Sequence, residues 1–74
     1  MDKIVKILEE IKGGVDYINE TALISDGIIE SFDMITLIFK LNEEFGIEIG
    51  VEDVVPENFE TVESIFKLVQ SKRG

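Results

Sequence analysis

This chain contains no cysteine, no histidine and no tryptophan. The first absence excludes disulfides, thiolate metal sites and cysteine nucleophiles; the second removes the commonest general base and metal ligand. At 74 residues, near the lower limit for an unaided core, stability has to come from packed aliphatic and phenylalanine side chains. Basic residues are scarce: seven against 16 acidic ones, a formal net charge of −9. Such a surface repels nucleic acid and anionic membranes and steers basic protein partners toward it. No apolar run approaches the ~20 residues of a membrane span, and Met1-Asp2-Lys3 opens an amphipathic pattern, not the apolar core of a signal peptide. The expectation is a single cytoplasmic, monomeric domain over residues 1–74, with no nucleic-acid partner and no membrane insertion.

The hydrophobic share of 45% is too high for a disordered acidic tail. From Asp2 to Lys12, Ile4, Ile7, Leu8 and Ile11 follow the i, i+3, i+4, i+7 spacing of a helix face, and Gly13-Gly14 supplies a stop. Residues 15 to 30 show no period. Tyr17, Ile18, Leu23, Ile24, Ile28 and Ile29 are scattered among turn formers there, which predicts a long ordered connection draped over the core. A second helix runs from Ser31 to Phe45 and ends at Gly46. Ile47-Glu48-Ile49 reads as extended chain. Pro56 limits the next stretch to one short helix, around Glu52–Val55 or Pro56–Phe59. Thr61 then caps a last helix with Val62, Ile65, Phe66 and Val69 on its inner face, and Lys67, Lys72 and Arg73 toward its C-terminus. Pattern alone thus predicts an all-α four-helix bundle, three helices long and one short, with a long first loop.

The second helix carries more apolar residues than one core face needs. Met34, Leu37, Ile38, Leu41 and Phe45 form one face; Phe32, Ile35 and Phe39 fall on another sector. Two readings stand: a helix buried on two sides, or an exposed contact strip beside Ser31. Ser31 also has two readings. Its hydroxyl suits an N-cap, where it would accept from an unpaired backbone N–H. Alternatively it carries a covalent group displayed at the helix tip.

Catalysis by the chain itself finds little support. A nucleophilic serine here would need Lys or a carboxylate as base, and Lys40 lies more than two turns from Ser31. Glu30 and Asp33 sit at an exposed helix start, where nothing sets one apart as acid and the other as base. Ser25-Asp26-Gly27 lacks the alternating ligand spacing of a calcium loop. The chain reads as a non-enzyme.

The run Gly27-Ile28-Ile29-Glu30-Ser31-Phe32-Asp33-Met34-Ile35 resembles the attachment motif of acyl carrier proteins, in which Asp-Ser-Leu or a similar triplet opens helix two. The resemblance continues through Leu37, Leu41 and Asn42-Glu43-Glu44-Phe45-Gly46-Ile47-Glu48-Ile49, similar to the family's Leu-Glu-Glu-Glu-Phe-x-x-x-Ile segment, and reaches Thr61-Val62-Glu63-Ser64-Ile65. The first helix fits by pattern only. The resemblance implies that a phosphopantetheinyl transferase attaches 4′-phosphopantetheine from coenzyme A to Ser31, whose terminal thiol then holds an acyl or aminoacyl group as a thioester. Loading ligases or transferases and downstream synthases would be the partners. Glu30, Asp33, Glu43 and Glu44 would steer them, and Phe32, Ile35 and Phe39 would give apolar contact. The pattern departs at Glu30, where Asp is usual, at Phe32, where Leu is usual, and at Thr36, Lys40 and Asn42, where fatty-acid carriers are often acidic. The Ser-Phe pair is also similar to D-alanyl carrier proteins and to stand-alone carriers beside adenylating ligases. The alternative of a different class is a helical interaction module in which Ser31 is only a cap.

Overall fold

Ile4, Ile7 and Leu8, spaced as one helix face, are all buried, and they define the inner side of α1, Asp2–Ile11. The computed structural model describes residues 2–73; Met1 and Gly74, the two ends of the predicted 1–74 domain, lie outside them. After α1 come α2, Ser31–Phe45, a 3₁₀ turn at Val51–Asp53, α3, Pro56–Phe59, and α4, Val62–Arg73. Among the described residues there is no strand, so Ile47-Glu48-Ile49 is extended chain. α1 packs on α2 and α4, α2 also meets α4, and α3 lies against α4. Leu37 and Leu41 of α2 meet the α1 residues and Ile65 and Val69 of α4 in one core. The predicted all-helical bundle, three helices long and one short, is what forms. No helix among the described residues is long and apolar enough to cross a membrane.

The helix ends follow local chemistry. α1 stops a residue before the predicted Lys12, whose N–H still reaches Leu8 O at 2.8 Å. α2 ends where Gly46 takes the left-handed conformation, φ +63°, and returns its N–H to Asn42 O. The Asn42 side chain turns to the following segment, Oδ1 accepting from Ile49 N–H at 3.0 Å. That use removes Asn42 from the surface face on which the family pattern put it. Thr61 caps α4 as expected. Its Oγ1 accepts from Ser64 N–H at 2.9 Å, and Ser64 Oγ accepts from Thr61 N–H at 3.2 Å, a reciprocal pair. At the other end of α4, Lys72 pairs with Asp53 of the 3₁₀ turn, and the Arg73 guanidinium lies 5.9 Å from the Phe45 ring centre.

The long connection is ordered by its own side chains. Tyr17, Leu23 and Ile29 are buried in the core, and Ile24 and Ile28 are half-buried against it. Ile18 is the exception: predicted to pack down, it is 66% exposed. In the turn where Asn19 and Glu20 both donate to Asp16 O, Tyr17 takes the inward place, its hydroxyl donating to Lys12 O, and the next side chain points away.

An anchor with no local sequence signal completes the loop. Residues Ala22 to Asp26 form a single helical turn, closed by Asp26 N–H on Ala22 O at 2.9 Å. Of the N–H groups that such a turn leaves unpaired, that of Ala22 goes to Glu20 Oε1 at 3.1 Å and the next three go to Glu60, at the α3–α4 junction. Leu23 N–H meets its carbonyl at 3.0 Å. Ile24 and Ser25 N–H meet Oε1 at 2.9 and 3.0 Å, and the Ser25 hydroxyl donates to Oε2. These donors, the Ser25 hydroxyl first, hold the Glu60 carboxyl below the ordinary 4.5. A carboxylate depressed on folding adds stability above its unfolded pKa and loses it as pH falls through the folded one. The Tm advantage of the native chain over Glu60→Gln should therefore be flat from about pH 7 to 5 and shrink progressively below about 4.5. A difference unchanged to the acid limit of folding would rule this account out.

Candidate functional site

The segment before α2 is set by one glycine and two isoleucines. Gly27 adopts φ +72°, a backbone that L side chains rarely take, and turns the chain inward. Ile28 is half-buried, its carbonyl accepting from Lys12 Nζ at 3.3 Å, and Ile29 is buried, its N–H donating to Leu23 O at 2.9 Å. The chain then emerges. Glu30 is exposed and extended at φ −95°, ψ 174°, and Ser31 is the first helical residue.

This corrects the reading of Ser31 as an N-cap. Glu30 occupies the cap position and makes no side-chain cap hydrogen bond. Asp33 supports the start instead, its Oδ2 accepting from Glu30 N–H at 3.3 Å. Ser31 lies one position too far along for its hydroxyl to bridge the first turn. It is exposed, and no hydrogen bond among the described residues engages its Oγ. The helix start thus presents the Ser31 hydroxyl to solvent.

Beside Ser31 lies an open hollow of about 420 Å³, walled by Ile24, Gly27, Ile29, Glu30, Phe32 and Met34. A smaller and more apolar hollow, about 140 Å³, adjoins it through the shared Ile24 and Met34, with Val54, Val55, Pro56 and Phe59 closing it. The loop residue Ile24 and the helix residue Met34 are therefore common walls. Val54 is 41% exposed, and Val51, in the 3₁₀ turn before it, is 90% exposed; sequence reading singled out neither.

The second apolar sector of α2 faces solvent: Phe32 is 79% exposed, Ile35 70% and Phe39 61%. At about 100° per residue these three fall within an arc of about 60°, opposite Leu37 and Leu41. Of the two sequence readings, the exposed strip is what forms. Glu43, exposed and without an ion-pair partner among the described residues, continues this stripe at the far end of α2. It stands about 18 Å along the helix from Ser31, twelve residues at the usual rise. Glu44 is turned toward α1, its Oε2 3.3 Å from Lys3 Nζ, and Lys40 is paired across the same junction with Glu10 at 3.7 Å. Asp33 is half-buried. Its carboxylate, after desolvation by burial and together with Glu9, helps to raise the pKa of Tyr17, keeping that phenol neutral. The predicted residues thus divide. Ser31, Glu30, Phe32, Ile35, Phe39 and Glu43 share the open side of α2, while Asp33 and Glu44 are engaged within the fold.

Among curated proteins, the chain is 37% identical over 70 residues to an acyl carrier protein of Buchnera aphidicola, covering 92% of this chain and 87% of that one. It is 34% identical over 65 residues to a protein of a Serratia species named probable acyl carrier protein PigG, covering 88% and 72%. It is 32% identical over 71 residues to aminoacyl carrier protein 1 of Bradyrhizobium diazoefficiens, covering 95% and 78%. No family model matches the chain, and no solved structure does.

An exposed hydroxyl without a partner, and a phenylalanine largely in water, contribute little to folding. Ser31→Ala and Phe39→Ser should each change unfolding free energy in urea by no more than about 0.5 kcal/mol. A loss above about 1 kcal/mol in Ser31→Ala would restore the cap reading.

Proposed function

Because the chain belongs to the acyl carrier protein family, we propose that Ser31 is its attachment point for 4′-phosphopantetheine, transferred from coenzyme A by a phosphopantetheinyl transferase. The observation that carries this reading is the free, exposed Ser31 hydroxyl at the first position of α2, beside an open hollow. A chain without cysteine has no thiol of its own, so thioester chemistry has to sit on an attached group. The residues present fit that group. A phosphodiester on Oγ would stand at the N-terminus of a 15-residue helix, where unpaired N–H groups and the dipole favour an anion. Glu30 opposes it by charge, but in an exposed position where water and salt screen the repulsion. When bound, the arm supplies a thiol that holds an acyl or aminoacyl cargo.

The chain's own part is presentation and docking. Phe32, Ile35 and Phe39 offer apolar contact, and Glu30 and Glu43 bracket it with negative charge that draws in basic faces of loading and transferring enzymes. A second reading, an aminoacyl or short-chain cargo, is favoured by one dimension. The apolar hollow near Ser31 is about 140 Å³, small beside the roughly 300–1,000 Å³ of ordinary ligand pockets. The adjoining hollow that Ser31 borders is larger, about 420 Å³, but it is open and mixed in its lining.

Incubation with coenzyme A and a broad-specificity phosphopantetheinyl transferase, followed by intact-mass measurement, should add one phosphopantetheine to the native chain and none to Ser31→Ala. No gain, or a gain that persists in the variant, rejects the attachment reading and leaves a helical interaction module. In the same assay Glu43→Lys should lower the rate several-fold at low salt, with the difference fading as ionic strength rises. Equal rates at all salt concentrations would remove Glu43 from the docking surface.

A further inference from the structure

We propose that Glu60 is a positioning residue for Ser31: it holds the loop wall beside the attachment point in the arrangement that an attaching enzyme engages. This rests on the reading of Ser31 as the attachment point. Three consecutive N–H groups, Leu23 through Ser25, end on Glu60, which therefore caps the 22–26 turn from 36 residues away. The restraint continues to the site. Leu23, fully buried, accepts from Ile29 N–H at 2.9 Å through its carbonyl, and Ile29 lies two residues before Ser31. Ile24, Gly27 and Ile29, all within or just beyond the capped turn, wall the hollow that Ser31 borders. Without the carboxylate, Leu23 and Ile29 stay anchored, but the N–H groups of Ile24 and Ser25 lose their acceptor, so the backbone that carries the Ile24 wall is less restrained. The wall then samples other positions, and only a fraction of molecules presents the native surface.

In the transfer itself an Oγ–phosphorus bond forms at Ser31 as the phosphoanhydride of coenzyme A breaks. The nucleotide leaves with the electron pair, and the hydroxyl proton passes to the transferase. Glu60 touches none of these atoms. Its effect falls on recognition, since a fractional population of the competent state raises the apparent dissociation constant by the inverse of that fraction.

The test compares Glu60→Ala, Glu60→Gln and the native chain in amide hydrogen exchange and in steady-state transfer from coenzyme A. Glu60→Ala should speed exchange at Ile24 and Ser25 by about tenfold, the scale of one lost cap, with the amides of α1, α2 and α4 unchanged. KM for the carrier should rise about three- to tenfold at constant kcat. Glu60→Gln, which keeps the Oε1 acceptor, should recover most of both. Faster exchange with unchanged KM would overturn the positioning role alone. A fall in protection across all helices would show a general stability role and overturn it too. If the native chain accepts no phosphopantetheine, the attachment reading fails and this inference falls with it.

Discussion

Burial of Leu37 and Leu41 is the contact on which the rest of the structure depends. Both are fully buried, and they are the two buried residues by which α2 joins Ile4 and Leu8 of α1 and Ile65 and Val69 of α4. Each such side chain contributes about 1.5–3 kcal/mol by leaving water, against a net stability of only about 5–15 kcal/mol for a typical domain. A chain this small, without cysteine, has little else to draw on. Everything that α2 exposes is possible because this narrow stripe is enough to seat it. Phe32, Ile35 and Phe39 leave comparable stabilisation unrealised on the opposite face, where they form an apolar strip open to contact that contributes little to folding.

The second requirement is to order a connection of nearly twenty residues without helix or strand. Apolar side chains hold it at intervals, Tyr17, Leu23 and Ile29 reaching the core. Anchors at those intervals do not fix the backbone between them. Polar contacts from elsewhere do that: Glu60 receives three N–H groups of the 22–26 turn, and Lys12 Nζ reaches the Ile28 carbonyl. The loop that leads into Ser31 is therefore tied to the end of α1 on one side and to the α3–α4 junction on the other. A similar division appears after α2, where Ile49 supplies burial and the Asn42 side chain supplies the backbone contact.

How much of this was legible follows from the range of each interaction. The helices announced themselves because apolar spacing, Gly46 and the Thr61 cap are local signals; α2 lies where the pattern put it, and of the two places left open for the short helix, Pro56–Phe59 is the one that forms. The apolar surplus of α2 was visible as two sectors, but whether the second faced protein or water depends on how many helices pack around it, which spacing does not encode. Ser31 was legible as the start of α2, and of its two readings the cap is the one that the structure sets aside. A serine at a helix start resembles a cap whether it stands at N-cap or one residue later, and a single position decides whether its hydroxyl is engaged or free. Glu60 had no signal at all, since its partners are more than thirty residues away and are backbone groups, identical in every sequence. Ile18 erred for the opposite reason: its hydrophobicity was a true local signal overridden by the turn that sends Tyr17 inward.

The charge distribution separates fold from recognition in the same way as the apolar residues do. Lys3 and Lys40 both serve the junction of α1 with α2, where they meet Glu44 and Glu10, while Lys72 fastens the 3₁₀ turn through Asp53. Three of the seven cations are thus ion-paired between structural elements, while Lys67 pairs with Glu63 within α4. The two solvent-exposed pairs at the α1–α2 junction add little to stability. Their larger effect is on the field: they neutralise carboxylates at the junction and leave Glu30 and Glu43, unpaired among the described residues, beside the strip on α2. Stability therefore resides on one side of α2, and the other side is left open: substitution along Phe32, Ile35, Phe39 and Glu43 changes that surface without disturbing Leu37 and Leu41, so the docking proposed above could be retuned there at little cost to the fold.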